Sequence, residues 1–168
     1  STANLTSAVL RDNGYTVDHF ATGEEGIEAF QKNPYDLVLT DILLKGKLNG
    51  QGTVKAIRHL EEDNKKYVPL LVFSVLDDTA HKVELLRLGA NDYVTKPLIQ
   101  EELLARVSNL ITSKKLLDKA ITQQDVIQEL AMKDLLTGLY NRYFLLETAP
   151  SRLREAIRHS IPYSLIIV

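Results

Sequence analysis

A doubly wound α/β domain, with a parallel sheet between two layers of helices, is the fold that this chain's pattern predicts. Three observations predict it. Apolar segments of strand length alternate with amphipathic segments of helix length from residue 5 to about residue 112. The connections between them are short. The run Leu37-Val38-Leu39-Thr40 is almost continuously apolar, the mark of a strand buried on both faces.

Residues 5–13 read as a helix, with Leu5, Ala8, Val9 and Leu10 apolar and Gly14 as its stop. Residues 15–20 alternate and read as a short strand. Residues 23–32 read as a second helix carrying Ile27, Ala29 and Phe30; Glu24 and Glu25 sit in its first turn, where the helix dipole favours acids. Asn33-Pro34 breaks it, and residues 35–40 form the second strand. Residues 45–52 read as a glycine-containing loop. Residues 53–60 start a third helix that runs into the polar stretch 61–66. The third strand covers residues 68–75, with Pro69 at a tolerated opening position. A helix over 80–88 ends at Gly89, a C′ glycine, and residues 91–95 make a fourth short strand. The chain opens on a helix where such a fold opens on a strand, so a domain of this size would want one more strand ahead of Leu5.

Residues 99–133 contain neither proline nor glycine. Leu103, Val107, Leu110, Leu117 and Ile121 fall at heptad-like positions interrupted by Lys114, and the stripe then shifts to Ile127 and Leu130. So long a helix reads as a connector and a two-helix dimer contact; a single helix packed on its own sheet and then solvated is the alternative. From Asp134 the character changes to a compact turn-bearing segment over 134–142. A helix over about 143–159 follows, in which Pro150 predicts a kink or two pieces. Residues 164–168 are apolar and β-branched and read as a strand. The expected divisions are therefore 1–112, 113–133 and 134–168.

Composition narrows the function. The 168 residues are 45% hydrophobic and 25% charged, ordinary for a soluble globular protein. A net charge of −2 gives no reason to expect a nucleic-acid or membrane partner. There is no cysteine, which excludes disulfides and thiolate chemistry and fits a cytoplasmic protein. No run reaches the ~18 apolar residues of a membrane span, and the N-terminus lacks the pattern of a signal peptide. His19, His59, His81 and His159 show no ligand spacing, so no zinc is expected. Neither a nucleophile elbow nor a phosphate-binding Gly-x-x-x-x-Gly-Lys loop occurs, which argues against a hydrolase or nucleotide enzyme.

Three residues carry the chemistry. Asp41, Ser74 and Lys96 each close an apolar run, and in a parallel sheet such ends converge on one crevice. A carboxylate there can attack phosphorus and form an acyl phosphate. Asp41 can also ligate Mg²⁺, with the backbone carbonyl of Leu43 as a further oxygen. Lys96 can pair with Asp41 or with phosphoryl oxygens, held by Pro97 through a bond that can be cis. Ser74 can donate to a phosphoryl oxygen, and Tyr93 can carry a change outward. Each has a plainer reading: a loop or capping acid for Asp41, a strand-end cap for Ser74, core packing for Tyr93. Their placement on successive strands favours the site.

The runs Tyr35-Asp36-Leu37-Val38-Leu39-Thr40-Asp41, Val68-Pro69-Leu70-Leu71-Val72-Phe73-Ser74 and Leu88-Gly89-Ala90-Asn91-Asp92-Tyr93-Val94-Thr95-Lys96-Pro97 resemble the receiver domain of two-component response regulators. The resemblance implies a flavodoxin-like sheet. It implies Asp41 as phosphoacceptor, Ser74 as hydroxyl switch, Tyr93 as aromatic switch and Lys96 as the phosphoryl-contacting lysine. It also implies Mg²⁺ as cofactor and a sensor histidine kinase or small phosphodonor as partner. Three features depart from the family. Its first strand, with the acidic pair that helps to bind Mg²⁺, would lie just before Ser1. Its usual proline four residues after the phosphoacceptor is Lys45. The stretch from Asp41 to Gly50 looks one residue longer than usual.

The segment Asp134-Leu135-Leu136-Thr137-Gly138-Leu139-Tyr140-Asn141-Arg142 resembles the opening of a GGDEF domain, as in diguanylate cyclases, and Ser164-Leu165-Ile166-Ile167-Val168 resembles its first strand. That implies a receiver controlling synthesis of cyclic di-GMP from GTP, by a homodimer formed through the receiver face and the linker helix. The catalytic turn lies beyond this chain, so the chain itself is expected to be inactive as a cyclase. The rival reading is an interaction module in which Asp41 is never phosphorylated.

Overall fold

The computed structural model describes residues 2–44, 46–60, 65, 67–75, 79–162 and 164. It divides into two compact units, Ser1–Leu116 and Leu117–Val168. The elements are α1 (Thr2–Asp12), α2 (Gly23–Lys32), β1 (Val38–Asp41), α3 (Gly50–Arg58), β2 (Leu70–Ser74), α4 (Thr79–Arg87), β3 (Asp92–Thr95), α5 (Gln100–Met132) and α6 (Arg142–His159). Among the described residues no helix is long and apolar enough to cross a membrane.

In the first unit the strands form a parallel sheet in the order β1-β2-β3. β2 is the centre: all five of its residues are buried, as its apolar run requires. Alternation along it builds two cores. Leu70 and Val72 meet Phe30 of α2, Val54 and Ile57 of α3 and Leu85 of α4. Leu71 and Phe73 meet Val9 and Leu10 of α1 and Leu103 and Val107 of α5. The sheet is thus covered on both faces, and each fully buried Leu or Val contributes about 1.5–3 kcal/mol through loss of apolar surface to water.

The first expected strand, over residues 15–20, is absent among the described residues. Residues 15–20 belong to no strand, because a strand exists only through a hydrogen-bonded neighbour and none lies beside them. Val38 donates to the Pro69 carbonyl at 2.9 Å and Ile42 to that of Phe73 at 3.1 Å, so the odd-numbered residues of β1 face away from β2. Beside that outer edge lies an open groove of about 680 Å³, lined by Leu10, Tyr15, Val17, Leu37 and Leu39 among others. The remaining differences are at ends. α3 begins at Gly50, inside the expected loop, because the Asn49 side chain caps it by accepting the Gly52 N–H at 2.8 Å. Gly89 terminates the α4 segment with φ +103°, as its C′ role requires. The polar stretch at 61–66 lies outside the described residues except for Lys65.

Arg58, the last residue of α3, ties the sheet's other end. Its Nε donates to the Gly89 carbonyl at 2.8 Å, one terminal nitrogen to Val68 O at 2.8 Å and the other to Asn91 Oδ1 at 2.7 Å. Asn91 Oδ1 also accepts the Leu70 N–H at 2.9 Å. Burial lowers the pKa of the guanidinium from its ordinary value.

The second unit contains the remainder of α5, a turn and α6. The turn is an antiparallel bridge between Lys133 and Tyr140. Asp134 Oδ1 accepts the N–H of Thr137 at 2.9 Å, its hydroxyl at 2.9 Å and the N–H of Leu136 at 3.2 Å. Those bonds, led by the Thr137 N–H, hold the Asp134 carboxyl below its ordinary pKa. Asn141 donates from its backbone to Met132 O and from its side chain to Ala131 O, both at 2.7 Å, and accepts the Phe144 N–H at 3.0 Å. One side chain thus satisfies a carbonyl at the end of α5 and an amide at the start of α6. Pro150 does not divide α6: it removes one donor, and the helix continues as a single element on both sides. The strand expected over 164–168 lies outside the described residues except for Ser164.

Candidate functional site

Parallel pairing places the C-terminal ends of all three strands along one edge of the sheet. Asp41 is the last residue of β1, Ser74 the last of β2, and Lys96 follows the last residue of β3. The ladder persists just past those ends, where Lys96 donates its N–H to Ser74 O at 2.8 Å. The Lys96 ammonium bonds Asp41 Oδ2 directly, as an ion pair whose side chains are 21% and 26% exposed. Such a pair, half withdrawn from water, is less screened than a surface pair. Ser74, on the strand between them, is only 1% exposed. The Lys96–Pro97 bond is cis. Asp41 Oδ1 accepts the Leu43 N–H at 3.1 Å, so both carboxylate oxygens have partners.

Tyr93 is the second residue of β3 and is half-buried. The Arg106 guanidinium carbon lies 5.9 Å from its ring centroid, within cation–π range. Arg106 also pairs with Asp92 at 2.6 Å and Glu102 at 2.8 Å, so β3 and α5 are joined at this ring. The hydrogen bond to Asp92, against burial, raises the Arg106 pKa.

The loop from Asp41 to α3 is fixed at three points. Its start is the Asp41–Leu43 bond and its end is Gly50, which donates to Ile42 O at 3.1 Å. Between them, Glu24 Oε1 accepts the N–H of Lys47 at 2.7 Å and of Leu48 at 3.0 Å. The carboxyl of Glu24 is held below its ordinary pKa by its own backbone N–H first, and then, against burial, by those of Lys47 and Leu48 and the Lys47 charge.

Residues 1–108 match the response regulator receiver domain family. The chain belongs to that family. Transcriptional regulatory protein DltR of Streptococcus agalactiae serotype III (strain NEM316) is 36% identical over 152 residues, covering 87% of this chain and 66% of that protein. The Francisella response regulator 1452 receiver domain is 28% identical at a TM-score of 0.61, over 67% of this chain and 88% of that one. The receiver of sensor histidine kinase PA1611 from Pseudomonas aeruginosa PAO1, solved with magnesium in its active-site cleft, is 28% identical at a TM-score of 0.58, over 65% and 87%. This chain spans 66% of DltR, somewhat less than two thirds of its length.

The receiver's strand ends bring Asp41, Ser74 and Lys96 to one edge. Leu43 is held beside Asp41 by its N–H. Tyr93 lies one turn of the ladder back from Lys96, engaged with Arg106. The donor set falls short for Mg²⁺. One carboxylate and one carbonyl would leave most of the ion's roughly six oxygens to water and phosphate. Among the described residues no group of three acidic or histidine side chains could hold a metal.

Glu24, Gly50 and Arg106 were not singled out for the site by sequence. Glu24 carried a signal, but a local one: an acid in a first helical turn. Its contact with residues 23 and 24 positions away has no local signature. Gly50 carries a prediction. A Cβ there would overlap the Asp41 carbonyl oxygen and come within 2.7 Å of Ile42 Cα, both main chain. Gly50→Ala is expected to cost about 2 kcal/mol in urea denaturation, since neither neighbour can rotate away. A midpoint equal to wild type would show that the loop has slack there.

Proposed function

We propose that this receiver is a phosphorylation switch with Asp41 as phosphoacceptor. A sensor histidine kinase or small phosphodonor supplies the phosphoryl group. A carboxylate oxygen of Asp41 forms the new bond to phosphorus as the donor's bond breaks, and the leaving group departs with that electron pair. The observation carrying this reading is the Lys96 ammonium bonded to Asp41 at the shared strand edge. Phosphorylation adds negative charge, which Lys96 offsets and the Ser74 hydroxyl hydrogen-bonds. Ser74 moving toward the phosphoryl group lets Tyr93 repack, and Arg106 carries that change into α5. Mg²⁺ takes part only with acidic ligands beyond Asp41 and the Leu43 carbonyl.

The readout we propose is homodimerisation through the receiver face and α5. Support comes from the exposed Leu117, Ile121, Ile127 and Leu130 on that helix. The output is a diguanylate cyclase in the parent protein, a reading that rests on the resemblance of residues 134–142 to a GGDEF opening. A different output is favoured by the similarity to DltR, a transcriptional regulatory protein: DNA binding, contrary to the expectation of no nucleic-acid partner. Assaying the parent for cyclic di-GMP formation from GTP and for duplex DNA binding separates them.

The switch is tested with acetyl phosphate and Mg²⁺, followed by intact mass and sedimentation. One added phosphoryl group per chain and about tenfold tighter self-association are expected. If the parent gains no mass and its association is unchanged, the receiver is an unphosphorylated dimerisation module.

A further inference from the structure

We propose that Glu24 is the positioning residue of the loop that follows Asp41. Its carboxylate fixes how the backbone of that loop is presented to a phosphoryl group on Asp41. The inference rests on the reading of Asp41 as phosphoacceptor and adds a residue from another helix to that site.

The loop between β1 and α3 has no ladder or helix of its own to order it, so its shape depends on side chains that take up its amides. At its midpoint that side chain is Glu24, whose Oε1 accepts two consecutive N–H groups. Charge-assisted bonds of this kind are about twice as strong as neutral ones. The second oxygen, Oε2, is sealed from solvent and has no hydrogen-bond partner among the described residues. What seals it includes Gly46, in a left-handed conformation at φ +115°, where a Cβ would stand 2.7 Å from Oε2. The loop backbone is thus seated on the carboxylate, with one oxygen bonded and the other packed against glycine. α2 in turn is anchored: Thr22 caps it by accepting the Glu25 N–H, and Glu25 accepts that of Ala21. Glu24 therefore projects from a capped helix end, a firmer base than another loop. Among the described residues, Glu24 is the side chain from another helix that bonds this stretch. Fixed ends alone leave the backbone between Leu43 and Asn49 free to choose among conformers, and Leu43 is the residue bonded to Asp41 Oδ1.

The test uses the parent protein with acetyl phosphate and Mg²⁺. In Glu24→Ala, amide hydrogen exchange at Lys47 and Leu48 should rise about tenfold, with the urea midpoint still showing a folded receiver. The maximal rate of phosphoryl uptake should fall about tenfold while the half-saturating acetyl phosphate concentration stays constant, because the donor is not bound by Glu24. Glu24→Gln retains an acceptor at Oε1 and should recover most of both effects. Lys47→Met keeps both amide bonds and should behave as wild type. Wild-type exchange in Glu24→Ala overturns the proposal. So does raised exchange with an unchanged uptake rate. If wild type takes up no phosphoryl group, the phosphoacceptor reading fails by itself, and exchange at Lys47 and Leu48 decides whether Glu24 orders the loop.

Discussion

Asp41→Asn is expected to abolish phosphoryl uptake from acetyl phosphate, leaving no mass gain above background. A carboxamide is nearly the same size and can still accept the Leu43 N–H, but it supplies no carboxylate nucleophile and no acyl phosphate. It also leaves Lys96 without its counter-charge. Lys96→Met should keep the nucleophile yet slow uptake by roughly a hundredfold, the scale seen when one preorganised donor to a developing charge is removed. Intact mass before and after treatment with hydroxylamine, which cleaves acyl phosphates, reads both variants. Persistent hydroxylamine-sensitive labelling of the Asn variant would assign the phosphoryl group to another residue.

The second large effect is structural. Arg58→Ala should cost about 3 kcal/mol in urea denaturation, because hydrogen bonds from a charged donor are worth about 1.5–3 kcal/mol each and are not additive. The Gly89 and Val68 carbonyls would both lose their bond from Arg58, and Asn91 Oδ1 would keep only the Leu70 N–H. Arg58→Lys should recover only part of that, since an ammonium cannot span three acceptors set out for a planar fork. A loss under about 1 kcal/mol for the alanine variant would mean that water replaces the guanidinium at little cost.

What could be read from the sequence were features written in consecutive residues. β2 announces itself as an unbroken apolar run, and Asp41, Ser74 and Lys96 are visible because an acid, a hydroxyl and an amine each close a run of strand length. Gly89 was legible because a helix stop is a local matter. Residues 15–20 misled: alternation shows which faces a segment could bury, and a strand also needs a neighbour. Gly50 and Gly52 suggested loop through their low helix propensity, yet Asn49 supplies a cap that starts α3 there. Glu24 and Arg58 stayed hidden for a different reason. Their partners lie 10 to 33 residues away, and no periodicity encodes a carboxylate reaching two amides or a guanidinium reaching three acceptors.

The outer flank of β1 bears on how this chain behaves in concentrated solution. A sheet margin with open amides is a template for any extended polypeptide that meets it, including one from a misfolded neighbour. Here the margin is four residues long, and an acid stands at its end and another just ahead of it, Asp41 and Asp36. Shortness discourages stacking of one chain on the next, and so does the charge of Asp36.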